Sequence, residues 1–323
     1  MATVAIAGST DKVLTLGFPG VLKEVGMQIL QASPTWSLIE RKKETWEGES
    51  IQAGVVTNDG YVTKAQSYQN DDTVDTTSVE PVSAVQFELG GYQSSVNLSG
   101  MKIRKVETSP RKLMGLQKLE TRLAIIGLVE RMSIHLFQAA NDAKGVLSLA
   151  TISDATTTVA GLAGSGTWGG TTTASGVFSA QGKTDLMTLY STLSVNATFD
   201  ESNSKSGLQN EPDVSITRRQ ESQLYWASLE PSMRYTAGGT GDVKLMIAFM
   251  GHPIVIDQHV TSGQWHMFRK SSLHLRVMSA ADFTPLSVAT STTQPDMWSR
   301  GLIWNGQLVF NSRREFGKLT GLS

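Results

Sequence analysis

Few residues in this 323-residue chain have the type and spacing to do chemistry. Gly182-Lys183-Thr184 ends like a phosphate-binding loop. In such a loop about four residues separate the first glycine from the Gly-Lys pair, so that successive N–H groups curl around the phosphates. Here five residues stand between Gly176 and Gly182, and no apolar strand leads in. Gly164-Ser165-Gly166-Thr167-Trp168-Gly169 has the spacing of a dinucleotide fingerprint. That fingerprint works only between a strand and a helix, with the pyrophosphate at the helix N-terminus. Its surroundings here are rich in Thr and Gly and hold no βαβ unit. The five histidines are His135, His252, His259, His266 and His274. None forms a His-Glu-x-x-His pair or a close ligand couple. Asp257 among them could join a triad, but no serine occupies a Gly-x-Ser-x-Gly elbow. With no cysteine, disulfides, thiolate metal sites and cysteine nucleophiles are excluded. The chain is therefore read as a non-enzyme, with no catalytic residue, no metal ligand and no cofactor assigned.

Charge is more informative. Net charge is −1, so there is no basic field to hold nucleic acid by counterion release. Charged residues make up 18% of the chain, against about a quarter in ordinary soluble domains. That deficit suits a surface largely covered by neighbours. Between 45 and 100 the acidic residues are Glu47, Glu49, Asp59, Asp71, Asp72, Asp75, Glu80 and Glu88, with Lys64 the single base. Between 102 and 131, eight bases (Lys102, Arg104, Lys105, Arg111, Lys112, Lys118, Arg122 and Arg131) face three acids. An acidic arm and a basic strut attract each other across copies of one chain; two separately solvated faces are the plain alternative. The N-terminus lacks the basic region of a signal peptide, and no apolar run approaches the ~18 residues of a membrane span.

The elements that must position these charges follow from periodicity. Residues 1–18 read as an arm. Pro19-Gly20 opens a short helix with Val21, Leu22, Val25 and Ile29 on one face, ending near Ser33-Pro34. Residues 40–44 are charged and read as solvated. Residues 45–104 read as a long two-stranded arm, with Ile51, Ala53 and Val55 alternating and then Val85, Phe87 and Leu89. Asp59-Gly60 is a turn signal, and residues 69–77 form a polar tip. Such a hairpin is marginal alone in water and needs something to lie on. Residues 109–145 predict a strut helix about 50 Å long, opened by Ser109-Pro110 and stopped by Asn141 and Gly145. Two apolar rows, Leu116/Leu119/Leu123/Ile126 and Ile125/Val129/Met132/Leu136, together make a wide apolar face. Residues 150–178 read as a linker or irregular loop, and Leu186 to Leu193 as a helix. Val214-Ser215-Ile216 reads as a buried strand, followed by a helix with a Thr217/Gln220 capping box and a stop at Pro231. The last third is mostly strands, with Asn305-Gly306 as a hairpin turn.

This order of elements resembles the major capsid proteins of tailed bacteriophages, the Hong Kong ninety-seven fold. Short phrases agree as well. Glu211-Pro212-Asp213-Val214-Ser215-Ile216-Thr217, then a helix, then Leu229-Glu230-Pro231-Ser232-Met233-Arg234-Tyr235, is similar to the family's apical core. Phe249-Met250-Gly251-His252-Pro253-Ile254-Val255-Ile256-Asp257 looks like the strand and turn that follow it. Gly301-Leu302-Ile303-Trp304-Asn305-Gly306-Gln307-Leu308-Val309 resembles the closing hairpin of the peripheral domain. The likeness runs from about residue 19 onward.

The resemblance implies an α+β capsid fold. Its parts would be an N-terminal arm and short helix (1–44), an extended loop over an adjacent subunit (45–104), a spine helix and first peripheral part (105–184), an apical domain (185–265) and a second peripheral part (266–323). It implies self-assembly into pentamers and hexamers of an icosahedral shell around packaged DNA that is held non-specifically. Scaffolding, portal and decoration proteins would be further partners, with no membrane, in a virion assembled in the host cytoplasm. The stretch before the arm is too short for a long scaffolding segment, so scaffolding is expected to be separate or absent. No acid and asparagine are placed around Lys64, so lysine–asparagine cross-linking is not expected. The assembly contacts expected from charge are Asp71, Asp72 and Asp75 on one copy and Arg111, Lys112 and Arg122 on another. Two rival readings are a tail- or surface-associated β-rich binding protein and a nucleotide-using enzyme. The second predicts ATP or NAD binding lost on mutation of Lys183 or Gly166.

Overall fold

The structure is a computed structural model. It describes residues 33–41, 43–48, 50–56, 64, 65, 67, 73, 76–78, 82–106, 110–139, 144–162, 164, 169–196, 211–229, 248–290 and 296–323. The expected helix at 19–33, the Asp59-Gly60 turn and the stops at Asn141 and Pro231 lie outside the described residues.

The described chain begins with a helix where a helix end was expected. Ser33 accepts the Trp36 N–H on its Oγ at 3.3 Å, and Pro34 opens α1 (Pro34–Glu40). Serine at the cap and proline at the first helical position are start signals, because proline's missing N–H is an orphan there anyway. The charged stretch that follows is not simply solvated: β1 (Lys43–Trp46) pairs in parallel with β10 (Leu273–Met278).

Two sheets organise the rest. The first has five strands, in the order β1-β10-β12-β11, with β4 on the far side of β12. Here β4 is Gly90–Ser99, β11 Thr284–Thr290 and β12 Met297–Phe310. Residues 90–99 therefore belong to the body, not to a projecting arm. Their alternation of buried Tyr92, Val96 and Leu98 with exposed neighbours places one face on the core.

The Asn305-Gly306 hairpin is not formed. Both residues sit inside one 14-residue strand, Asn305 opposite Gly91 and Gly306 opposite Gly90 and Val277. A two-residue hairpin of that composition needs positive φ at both positions, and neither has it. Gly306 is there for close approach: a Cβ would lie 2.8 Å from the Arg276 carbonyl oxygen and from the Trp304 ring.

The second sheet runs β5-β13-β9-β6-β8-β7. Its strands are β5 (Thr171–Ala174), β6 (Val214–Thr217), β7 (Ala248–Phe249), β8 (His252–Ile256), β9 (Trp265–Phe268) and β13 (Phe316–Thr320). This sheet divides two cores. Along β9, Trp265 and Met267 point into one, whereas Phe268 points into the other. The larger core holds Trp36, Ile125, Val129, Met132, Trp304 and Phe310. The smaller is aromatic and holds Phe178, Leu186, Leu189, Tyr225, Phe249 and Trp265, joined by Leu319 and Leu322 of the C-terminus.

The remaining helices are α2 (Gly100–Val106), α3 (Pro110–Phe137), α4 (Leu149–Ile152), α5 (Lys183–Asn196) and α6 (Arg219–Ser228). The strut helix is real but ends at Phe137, so its 28 residues span about 42 Å. The capping box before α6 is absent. The helix starts at Arg219 without a side-chain cap, and the Thr217 hydroxyl donates instead to the Gln264 carbonyl at 3.1 Å.

The tract at 150–178 is not free linker. Arg313, 2% exposed, donates to the carbonyls of Thr151, Ile152, Asp154 and Thr157 at 2.5–2.9 Å and locks the turn after α4. β5 then joins β13 in parallel.

Candidate assembly surface

The arm is narrower than its sequence suggested. β2 (Ile51–Val56) and β3 (Val82–Phe87) form a separate two-stranded sheet, with Ile51 opposite Phe87 and Val56 opposite Val82. Its root is anchored: Ile51, Val85 and Phe87 are buried in the larger core, and the Phe87 ring meets Phe310 edge-on at 5.1 Å. Gln52, Gly54, Ala84 and Gln86 are exposed. Two strands alone bury too little to be stable, so the hairpin depends on that root.

A charged cluster secures the strand just before the arm. Glu44 on β1 pairs with His274 Nδ1 and Arg276 Nε on β10, both at 3.2 Å. Lys43 bonds Asp282, and the Arg276 guanidinium lies 5.8 Å from the centre of the Trp46 ring. Sequence reasoning missed this cluster, because the parallel pairing of 43–46 with 275–278 joins segments more than two hundred residues apart. The period-2 spacing of His274 and Arg276 was the available signal.

α3 crosses the body along β4. The Tyr92 hydroxyl accepts the Val146 N–H at 2.9 Å and lies 2.9 Å from His135 Nδ1, tying helix, strand and following loop together. Only one of the two expected apolar rows is buried. Ile125, Val129, Met132 and Leu136 are each 0% exposed, but Leu119, Leu123 and Ile126 of the other row are 52%, 55% and 37% exposed, the Leu116 side chain lies outside what is described, and Ile134 continues the open side at 42%. The wide apolar face is thus two faces, one packed on the body and one open.

The residues singled out for chemistry have structural roles. Gly182 packs against Phe178 and Leu322 as α5 begins, and Gly164 backs onto the Thr156–Thr157 backbone. A strand, not a helix, follows the described end of the Gly164 pattern, where a dinucleotide fingerprint needs a helix N-terminus. Asp257 accepts hydrogen bonds from Ser33 Oγ, Thr35 N–H and His259 N–H, which ties α1 to the end of β8. His266 is fully buried. Burial, with Lys318 nearby, lowers its pKa to about 3. Among the described residues no group of three or more His, Asp or Glu is placed to hold a metal ion. No described helix is long and apolar enough to cross a membrane.

No protein-family model and no curated protein sequence matches the chain. Solved structures do. A chain of the cyanophage A-1(L) capsid asymmetric unit superposes with a TM-score of 0.61 at 14% identity, covering 90% of this chain and 92% of that one. The capsid of an empty GTA particle gives 0.58 at 9% identity, covering 90% and 97%. The holo-SrpI encapsulin complex from Synechococcus elongatus gives 0.55 at 11%, covering 90% and 89%.

This chain has the tailed-phage capsid fold. The likeness is one of shape, carried over about nine-tenths of this chain at 9–14% identity. The hairpin 51–56/82–87 falls within the segment read above as the extended loop, and α3 within the segment read as the spine helix. Of the charged residues read as assembly contacts, Asp71, Asp72 and Asp75 lie outside the described residues. Arg111 and Lys112 fall in the first turn of α3, and their side chains also lie outside what is described. Arg122 is exposed two turns before the open side of α3 reaches Glu130.

Proposed function

We propose that this chain is the major coat protein of a tailed-phage-type virion, self-assembling as pentamers and hexamers into an icosahedral shell around packaged DNA. The observation that carries the reading is the match to capsid chains over about nine-tenths of both partners. A domain shared by chance with a larger machine would leave much of one chain uncovered. On this reading the protein works by position and not by catalysis, and needs no cofactor. Its main partner is itself. Scaffolding, portal and decoration proteins are further partners, DNA is held without sequence preference, and the shell forms in the host cytoplasm.

The loop and the spine supply the logic. A two-stranded hairpin that leaves the body beyond its root gains burial by lying on a neighbour, and shell closure multiplies such modest contacts. The acidic tip with Asp71, Asp72 and Asp75 and the basic Arg111, Lys112 and Arg122 of an adjacent copy are the charge pair that sets register.

Electron microscopy of the purified chain tests the reading directly: closed megadalton shells are expected, and a lasting monomer or small defined oligomer rejects it. Reversing Asp71, Asp72 and Asp75 to lysine is expected to impair shell yield while the subunit's circular dichroism is unchanged. Shells formed at normal yield by that triple variant would remove the charge pair from the mechanism.

A further inference from the structure

We propose that the open apolar row of α3 is a docking strip for residues 20–32 of the same chain. The row is Leu119, Leu123, Ile126 and Ile134, each 37–55% exposed, on the side of the helix opposite Ile125, Leu128 and Met132. Four large apolar side chains in line on one helix form a patch that a soluble surface seldom leaves without a partner. The home core does not need them, since α3 already buries its other face there.

What reaches the strip follows from where the described chain begins. Ser33 Oγ donates to Asp257 Oδ2 at 3.0 Å, and the Thr35 N–H donates to the same oxygen at 3.3 Å. The other oxygen of Asp257 accepts the His259 N–H at 3.0 Å, and His259 Nε2 lies 3.5 Å from Glu130 Oε1. The Thr261 hydroxyl donates to the Phe137 carbonyl at 3.3 Å. Glu130 is a member of the row, four residues after Ile126 and four before Ile134. The chain preceding Ser33 therefore joins the body two short links from the strip.

Residues 1–32 lie outside the described residues and enter by sequence alone. Val21, Leu22, Val25 and Ile29 recur at helical spacing and sweep an arc of about 100°, as do Leu119, Leu123, Ile126 and Ile134. As a helix, residues 20–32 would run about 20 Å, and the strip from Leu119 to Ile134 runs about 22 Å. With Ser33 tethered near Glu130, the segment lies parallel to α3, Val25 beside Leu123 and Ile29 beside Ile126.

The chain has no cysteine, so introduced pairs report proximity without background. Val25→Cys with Leu123→Cys, oxidised in dilute subunit, is expected to give an intrachain disulfide. Its yield should exceed that of a control pair, Val25→Cys with Leu286→Cys, by about tenfold or more, as effective concentrations within a chain allow. A yield no better than the control overturns the proposal, and so does a product that is only the interchain dimer, which assigns the strip to a second copy. A second readout does not depend on disulfide geometry. Maleimide labelling of Leu123→Cys alone should accelerate about tenfold when Val25 and Ile29 are changed to Asp, because an undocked segment leaves position 123 open. An unchanged labelling rate overturns the proposal. Both measurements use the unassembled subunit, so their failure leaves the capsid reading standing.

Discussion

The aromatic core under the six-stranded sheet and the spine helix α3 treat apolar side chains in opposite ways. Around Trp265, the rings of Phe178, Tyr225 and Phe249 pack edge-on or tilted at 5.7–6.4 Å between centroids, and Tyr190 extends the cluster through Phe249. Those core side chains are buried within the chain, although Val177, Met187, Val195 and Met250 beside them stay exposed. α3 closes one side on the body and leaves Leu119, Leu123, Ile126 and Ile134 open. Apolar content is similar in the two places, so content alone does not say what a region is for. A region whose apolar residues are all buried at home holds the subunit together. One that leaves a row open has its burial completed by another segment or another copy.

The comparison can be broken or sharpened by substitution. Trp265→Ala removes the centre of the closed core and is expected to destabilise the subunit by about 3–5 kcal/mol in chemical denaturation, the largest effect here. A loss below about 1 kcal/mol would mean that the second core is not closed by this chain alone. The two faces of α3 give the next contrast. Ile125→Ala on the side packed into the core should cost about 2–4 kcal/mol, and Leu123→Ala, covered only by the docked segment, about 1–2 kcal/mol in the unassembled subunit. Equal losses would erase the distinction between the faces.

His266 sharpens the comparison through pH. Its folded pKa of about 3 lies below its ordinary 6.5, because burial penalises the charged ring. Neither ring nitrogen has a hydrogen-bond partner among the described residues, and the ring packs 5.7 Å from that of Phe137. Between those values the unfolded chain holds a proton that the folded chain does not. Stability contributed by the neutral ring is therefore full above pH 6.5 and falls as pH drops toward 3, by up to about 1.4 kcal/mol per unit. His266→Phe should flatten that part of the stability–pH curve. A curve of unchanged slope would show that His266 is not the group responsible. The smallest expected effect is at the sheet edge. Glu44→Gln should cost about 0–1 kcal/mol, since its pairs with His274 and Arg276 are partly exposed and screened by salt. Loss of several kcal/mol in a thermal scan would instead make β1 a main support of the arm.

Much of the fold was legible. α3, the alternation of Leu273, Leu275 and Val277 in β10, and the buried β6 all stand where their periods placed them. What was misread had the right local chemistry in the wrong context. Asn305-Gly306 has hairpin composition, but β4, β10 and β12 meet there, and the glycine serves the close approach of the Arg276 backbone. Ser33-Pro34 follows an apolar run and so reads as an end, but both residues are better helix starters and open α1. At the candidate surface, the exposed Arg122 on α3 could be read from spacing. That Leu119 and Leu123 are open while Ile125 and Val129 are buried could not, since both rows are equally apolar.

By itself the sequence determined the length of the spine helix to within about two and a half turns and the strand-rich last third. These depend on side-chain sterics and on spacing along one stretch of chain, and such terms are local. Only the tertiary structure decided which face of α3 lies inward, that residues 90–99 join the main sheet, and that Glu44 meets His274 and Arg276. Each of those is a contact between segments far apart in the chain. Its free energy belongs to the pair and is written in neither segment alone.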